Sequence, residues 1–203
     1  AVPMMGATLF TINVRLSPAQ LLYTINHGAP DLIIVHRDFM PLIDEIKSGF
    51  ERDITIIPIG DGDGYEAWIG KAADRFDFPD FEEARTATLF YTTGTTGNPK
   101  GVSYSHRQLV LHTLGLLVGF GVWPGDACFH RVGVYLPLTP LCPVHARGFP
   151  YAPTLLAVNQ VYSGRYDPYS FLPLIAIDWH TLSHFCQPHL ASVADSPTAP
   201  PIY

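Results

Sequence analysis

Apolar runs along the chain alternate with segments whose apolar residues recur every three or four positions, as in an α/β domain with a largely parallel sheet and flanking helices. Ser17 and Pro18 predict a helix start, with the serine as cap, the proline in the first turn, and Leu21, Leu22 and Ile25 on one face. Residues 31–37, DLIIVHR, then read as a short buried strand. Asp38 is expected to cap a helix with the apolar stripe Phe39, Leu42, Ile43 and Ile46, and residues 54–60, ITIIPIG, to form the next strand and complete one βαβ unit. The DGDG run at 61–64 lacks the ligand spacing and closing glutamate of an EF-hand, so a turn is expected there. Residues 76–85, FDFPDFEEAR, have no clean period and read as a surface connection.

Residues 86–93, TATLFYTT, form a strand pattern rich in β-branched and aromatic residues. It runs into GTTGNPKG at 94–101, then VSYS, then a helix expected from Ser105 through Leu117. The uncharged run 108–125 is broken by His112, four glycines and Pro124, which argues for a buried helix and its exit loop against a membrane span. No internal repeat is present, and the tail SPTAPP at 196–201 is expected to fray, as is the end of the chain to residue 203.

Composition narrows the class. Of 203 residues, 47% are hydrophobic and 15% charged, enough apolar side chain for a core and too much for a disordered or collagen-like chain. A formal charge of −6 and a pI near 5.8 argue against nucleic acid or an anionic membrane as partner. The three cysteines, Cys128, Cys142 and Cys186, fit reduced thiols and so a cytoplasmic setting, and the opening AVPMMGATLF has no basic region of a signal peptide. Residues 1–90 carry 14 acidic and 7 basic side chains, whereas residues 91–203 carry only 4 and 5. A stretch this poor in charge is expected to pack against more protein, either the rest of its own domain or a second subunit.

The candidate chemistry lies in TTGTTGNPKG, residues 92–101, with three glycines, four threonines and one lysine directly after a strand. Glycines let backbone N–H groups approach an anion, hydroxyls add donors, Lys100 brings a charge, and Pro99 stiffens the loop. Lys100 sits between Pro99 and Gly101, so this is not a Walker A loop, and the glycine spacing is not that of the dinucleotide fingerprint. The alternative is a glycine-rich hairpin whose hydroxyls serve turn formation.

Residues 89–114, LFYTTGTTGNPKGVSYSHRQLVLHTL, resemble the signature of the adenylate-forming superfamily, specifically its fatty-acid acyl-CoA synthetases. Residues 5–35 are similar to the segment such enzymes carry before the signature, and residues 148–168 to the one after it. The resemblance implies a partial AMP-binding domain over residues 1–203, from an acid–thiol ligase that uses ATP, magnesium and coenzyme A. In that family a carboxylic acid attacks ATP to give an acyl-adenylate and pyrophosphate, and coenzyme A then displaces AMP. The loop positions fall on Thr92, Thr93, Gly94, Thr95, Thr96, Gly97 and Lys100.

Two departures accompany the resemblance. In PLCPVHARGFPY, residues 140–151, His145 and Gly148 match a segment that shapes the acyl pocket. Cys142, Pro143 and Arg147 stand where phenylalanine, histidine and tryptophan are usual. A cationic Arg147 is unfavourable on an apolar wall unless it turns to solvent. The family's tyrosine-glycine-threonine-glutamate motif, its ribose aspartate and its lid lysine have no counterpart, so a central slice, inactive alone, is expected. The competing expectation is a non-enzymatic truncated relative that folds and at most binds nucleotide. His180, His184, Cys186 and His189 fall within ten residues, but their spacing is loose for zinc, and packing roles are expected with no metal.

Overall fold

Helix α1 (Pro18–Gly28) starts where Ser17 closes a capping box, its hydroxyl accepting from the Gln20 N–H while the Gln20 side chain accepts from the Ser17 N–H. The expected face is buried through Leu21 and Ile25, with Thr24 between them bonding the Leu21 carbonyl at 2.8 Å. The computed structural model describes residues 1–60, 64–92, 97–121, 134–137, 141–144, 148–162 and 181–184. The chain divides into two units, residues 1–107 and 108–203.

In the first unit, strands β2 (Leu32–His36) and β3 (Thr55–Ile59) pair in parallel with Ile33 against Ile56 and Val35 against Pro58, and helix α2 (Met40–Ile46) forms the crossover. The anticipated βαβ unit is therefore present. Leu16, Leu21, Ile25, Ile33, Val35, Ile43, Ile46 and Ile54 make its core. Two details differ from the sequence reading. Strand β2 buries only Ile33 and Val35, while Leu32 and Ile34 on the opposite face are exposed, so it is buried on one side alone. Asp38 does not cap the helix: it lies in a 3-10 turn (Arg37–Phe39), where its own N–H donates to His36 Nδ1. Pro41, which has no N–H to lose, opens α2 without a side-chain cap.

Strand β4 (Thr86–Thr92) is the centre of a second sheet, parallel to β1 (Leu9–Thr11) on one side and antiparallel to β5 (Lys100–Ser105) on the other. Strand β5 accounts for VSYS, to which the sequence reading assigned no element between the loop and the helix. The extra strand delays helix α4 (His106–Gly121) by one residue at its start. A short helix, α3 (Gly64–Ile69), follows β3, and the residues 76–85 cross the surface without regular structure, as anticipated. The DGDG turn at 61–63 and the frayed tail at 196–203 lie outside the described residues.

Helix α4 is less buried than anticipated. Leu109 and Thr113 are covered, but Val110, Leu111, Leu114 and Val118 are exposed. Its apolar residues run round the helix, so periodicity could not single out a buried face. No described helix is long and apolar enough to cross a membrane.

In the second unit, β6 (Val134–Pro137) lies between β7 (Asn159–Gln160) and β8 (Thr181–His184), parallel to both. Two short helices, α5 (Leu141–Val144) and α6 (Tyr151–Leu155), come between β6 and β7. Tyr135 and Leu136 on β6 are almost fully buried, and burial first, then the neighbouring Tyr162 phenol, pushes the Tyr135 hydroxyl far above its ordinary range.

The end of α1 carries a sharp local requirement. The left-handed residue that closes it is Ala29, φ +44°, whose N–H bonds the Ile25 carbonyl at 2.8 Å, and not Gly28. Gly28 is needed for a different reason: a Cβ there would stand 2.5 Å from Cε1 of Phe10, whose ring occupies that space. Ala29→Gly should therefore stabilise the first unit, by about 0.5–1 kcal/mol, because relief of the left-handed alanine outweighs the added chain entropy. Gly28→Ala should destabilise it by about 1–3 kcal/mol despite alanine's better helix propensity. Urea unfolding of both variants checks the opposite signs; equal signs would remove this account of the helix end.

Candidate functional site

The loop 93–99 is the turn of the β4–β5 hairpin, so the glycine-rich hairpin and the donor-rich loop are one object. Thr92 and Lys100 form the last register pair before the turn. Residues directly opposite across an antiparallel ladder share a face, so the Thr92 hydroxyl and the Lys100 ammonium stand on one side of the hairpin mouth. Both are exposed, and among the described residues Lys100 makes no ion pair. Gly97 has φ +89° with open space where a Cβ would be, while Pro99 is buried against the fold. Thr93, Gly94, Thr95 and Thr96 lie outside the described residues.

The mouth is anchored from below. Tyr91, buried on β4, is the register partner of Gly101, and a Cβ at Gly101 would stand 3.3 Å from Cζ of Tyr91, so the ring leans over the glycine. The Tyr91 hydroxyl is hydrogen-bonded to Nδ1 of His27 on α1, whose ring meets the tyrosine edge-on with centroids 5.7 Å apart. Phe10 of β1 packs on the same ring at 5.6 Å. Burial first, then the nearby Tyr23, holds the Tyr91 phenol above its ordinary range.

The neighbouring start of α4 is tied back to the segment before β4. The N–H of His106 donates to the Arg85 carbonyl at 3.0 Å and that of Arg107 to the Glu83 carbonyl at 2.9 Å. The Arg107 guanidinium also pairs with the Glu83 carboxylate. Two N–H groups of the first turn of α4 are thus taken by the chain's own carbonyls. His106 packs against Phe81 with centroids 4.6 Å apart, and Nε2 is buried without a partner.

Gly148, a sequence candidate for the acyl pocket, lies in the second unit. It has φ +79° and is pressed on α4, where a Cβ would meet Cα of Thr113 at 3.1 Å, and its carbonyl accepts the Ala152 N–H at 2.8 Å. It therefore also serves close packing. Cys142 is half-buried at a non-helical kink within α5, with φ −93° and ψ 114°. His145 and Arg147 lie outside the described residues, as do His180, Cys186 and His189; His184 is placed in β8 by its backbone. Among the described residues no cluster of three metal-ligating side chains occurs.

Residues 1–187 match the AMP-binding enzyme family. The chain belongs to that family. It is 37% identical over 180 residues to a long-chain-fatty-acid–CoA ligase of Thermus thermophilus, covering 86% of this chain and 32% of the relative. It is 35% identical over 171 residues to a 3-methylmercaptopropionyl-CoA ligase of Ruegeria pomeroyi, covering 78% of this chain and 31% of the relative. The chain thus spans about a third of the length of these curated relatives. The fold matches that of o-succinylbenzoate CoA synthetase from Bacillus subtilis, solved with an acyl-adenylate, at a TM-score of 0.71 and 19% identity, over 98% of this chain and 47% of that one.

Sequence reasoning found the loop and missed its anchors. His27, Tyr91 and Gly101 become a set only once VSYS is recognised as a strand, because that pairing puts Gly101 opposite Tyr91. The signal was the alternation of residues 100–105 across from TATLFYT.

The environment of His106 gives a pH dependence. Burial first, then the neighbouring Arg85 charge, lowers its pKa below the ordinary 6.5, so the folded chain binds this proton more weakly than the unfolded chain. Stability is unaffected above that value and falls as pH drops through and below it. His106→Gln should flatten that part of the acid limb in urea midpoints measured from neutral pH downward. An acid limb identical to that of the parent protein would show that His106 carries none of it.

Proposed function

We propose that this chain is part of an ATP-dependent acid–CoA ligase and that loop 92–101 holds the phosphates of ATP. The observation that carries the reading is the hairpin mouth, where Thr92 and Lys100 face one another at the entrance of a turn rich in glycine and threonine. Such a turn can fold over a polyphosphate and offer N–H, hydroxyl and ammonium donors to charge that develops on departing pyrophosphate. Family membership supports ATP and coenzyme A as co-substrates.

In the proposed reaction an acid carboxylate attacks the α-phosphorus of ATP, forming the acyl–phosphate bond of an acyl-adenylate as pyrophosphate leaves. The coenzyme A thiolate then attacks the acyl carbon, forming the thioester and releasing AMP. Fatty acids are the proposed acids, supported by the Thermus relative; the Ruegeria relative, named for a short thioether acid, widens the class to aliphatic carboxylic acids. His145 and Gly148 are proposed for the acyl side and Thr92, Thr93, Gly94, Thr95, Thr96, Gly97 and Lys100 for the nucleotide side. Loop 92–101 carries no carboxylate and no described cluster fits a magnesium ion, so no step is assigned to a protein-held metal.

Lys100 is the one fixed charge in the loop sequence, so Lys100→Ala should weaken ATP or pyrophosphate binding by about 1–3 kcal/mol, the scale of a charge-assisted contact. Titration calorimetry on parent and variant measures it. Equal affinity in the two, or no binding by the parent chain, would overturn the assignment of the loop.

A further inference from the structure

We propose that His27 is a positioning residue for the loop, acting through Tyr91 to fix the strand that carries Lys100; its functional meaning rests on the phosphate reading of loop 92–101. The chain of contacts is short and runs within the first unit. His27 Nδ1 holds the Tyr91 hydroxyl, the Tyr91 ring lies on Gly101, and Gly101 is bonded to Lys100.

Each link has a physical reason. Strand β5 pairs only with β4 among the described residues, and a glycine near its start brings no side chain to pack and a large entropic cost of ordering. A cross-strand aromatic ring over such a glycine supplies the missing contact and shields its backbone. A tyrosine ring in this place can swing about its first side-chain torsion unless its far end is held. Here the far end is held by a residue of another element, α1, and the ring's flank by Phe10. His27 is itself held, stacked on Tyr23 at 5.6 Å within the same helix. Below it the helix is fixed to the β3 approach by Asn26, whose side chain donates to the Gly49 carbonyl at 2.9 Å and accepts from the Glu51 N–H at 3.2 Å.

The register then transmits the constraint. Tyr91 and Gly101 are one pair removed from Thr92 and Lys100, the pair from which the turn departs. Fixing the first pair fixes the direction in which the second presents its hydroxyl and ammonium. Nothing in this role requires His27 to touch a ligand. A hollow of about 420 Å³ lined by Ala19, Leu22, Tyr23, Asn26, His27 and Glu51 opens beside the ring, so the imidazole can be replaced with little repacking.

Amide hydrogen exchange of the 203-residue chain tests this without any ligand. In His27→Ala and Tyr91→Phe, the amides of residues 100–102 should exchange about fivefold faster, the ratio that one net hydrogen bond supports, while those of α1 and β2 keep their parent rates. His27→Gln, which can still bond the phenol, should restore the parent rates. A pyrophosphate titration of the same proteins should show a loss of affinity of similar size in the first two variants and none in the third. Unchanged exchange at 100–102, or equal acceleration throughout the first unit, would overturn the positioning role. If the exchange pattern appears but the parent chain binds no pyrophosphate, the clamp stands and its functional meaning falls with the phosphate reading.

Discussion

The packing of three rings, Phe10, His27 and Tyr91, is the constraint on which the first unit turns. It joins β1, α1 and the end of β4, elements far apart in sequence, at the point where the hairpin loop begins. Rings packed this closely need backbone space, and two glycines provide it. Gly28 makes room for Phe10 and Gly101 for Tyr91. A polar tie between His27 and Tyr91 then selects one arrangement among those that apolar contact alone would permit, since contact energy is nearly indifferent to small rotations and a hydrogen bond is not.

That arrangement gives a loop rich in glycine a defined point of departure. Glycine residues let the backbone close on an anion, but they also carry the greatest ordering cost. In this chain the two ends of the loop are fixed, by a buried β4 on one side and by Pro99 with the Tyr91-covered Gly101 on the other. The carbonyls of Glu83 and Arg85 accept the first two N–H groups of the nearby α4 terminus.

The elements legible in the sequence were those whose signals are local and redundant. Ser17, Pro18 and Gln20 mark the start of α1 three times over, and the apolar run 54–60 between turn residues has few other solutions than a strand. The elements misread depended on a partner that sequence does not display. VSYS is too short and too polar to declare itself a strand until β4 lies beside it, and Asp38 looks like a cap until His36 takes its N–H. For the candidate site the same division holds: loop 92–101 stands out in the sequence by composition alone, whereas its support by His27 spans 64 residues of separation.

Helix α4 sets the remaining question in physical terms. Its apolar residues are distributed around the axis, and the described chain covers Leu109 and Thr113 while leaving Val110, Leu111, Leu114 and Val118 exposed. A soluble helix gains nothing by presenting four large apolar side chains to water, at about 1.5–3 kcal/mol of forgone burial for each. The low charge of residues 91–203 works in the same direction, since few charged stems are available to shield that surface. The chain spans about a third of the length of its curated relatives. The hairpin that carries Lys100, by contrast, is supported by Phe10, His27 and Tyr91, which all lie within residues 1–107.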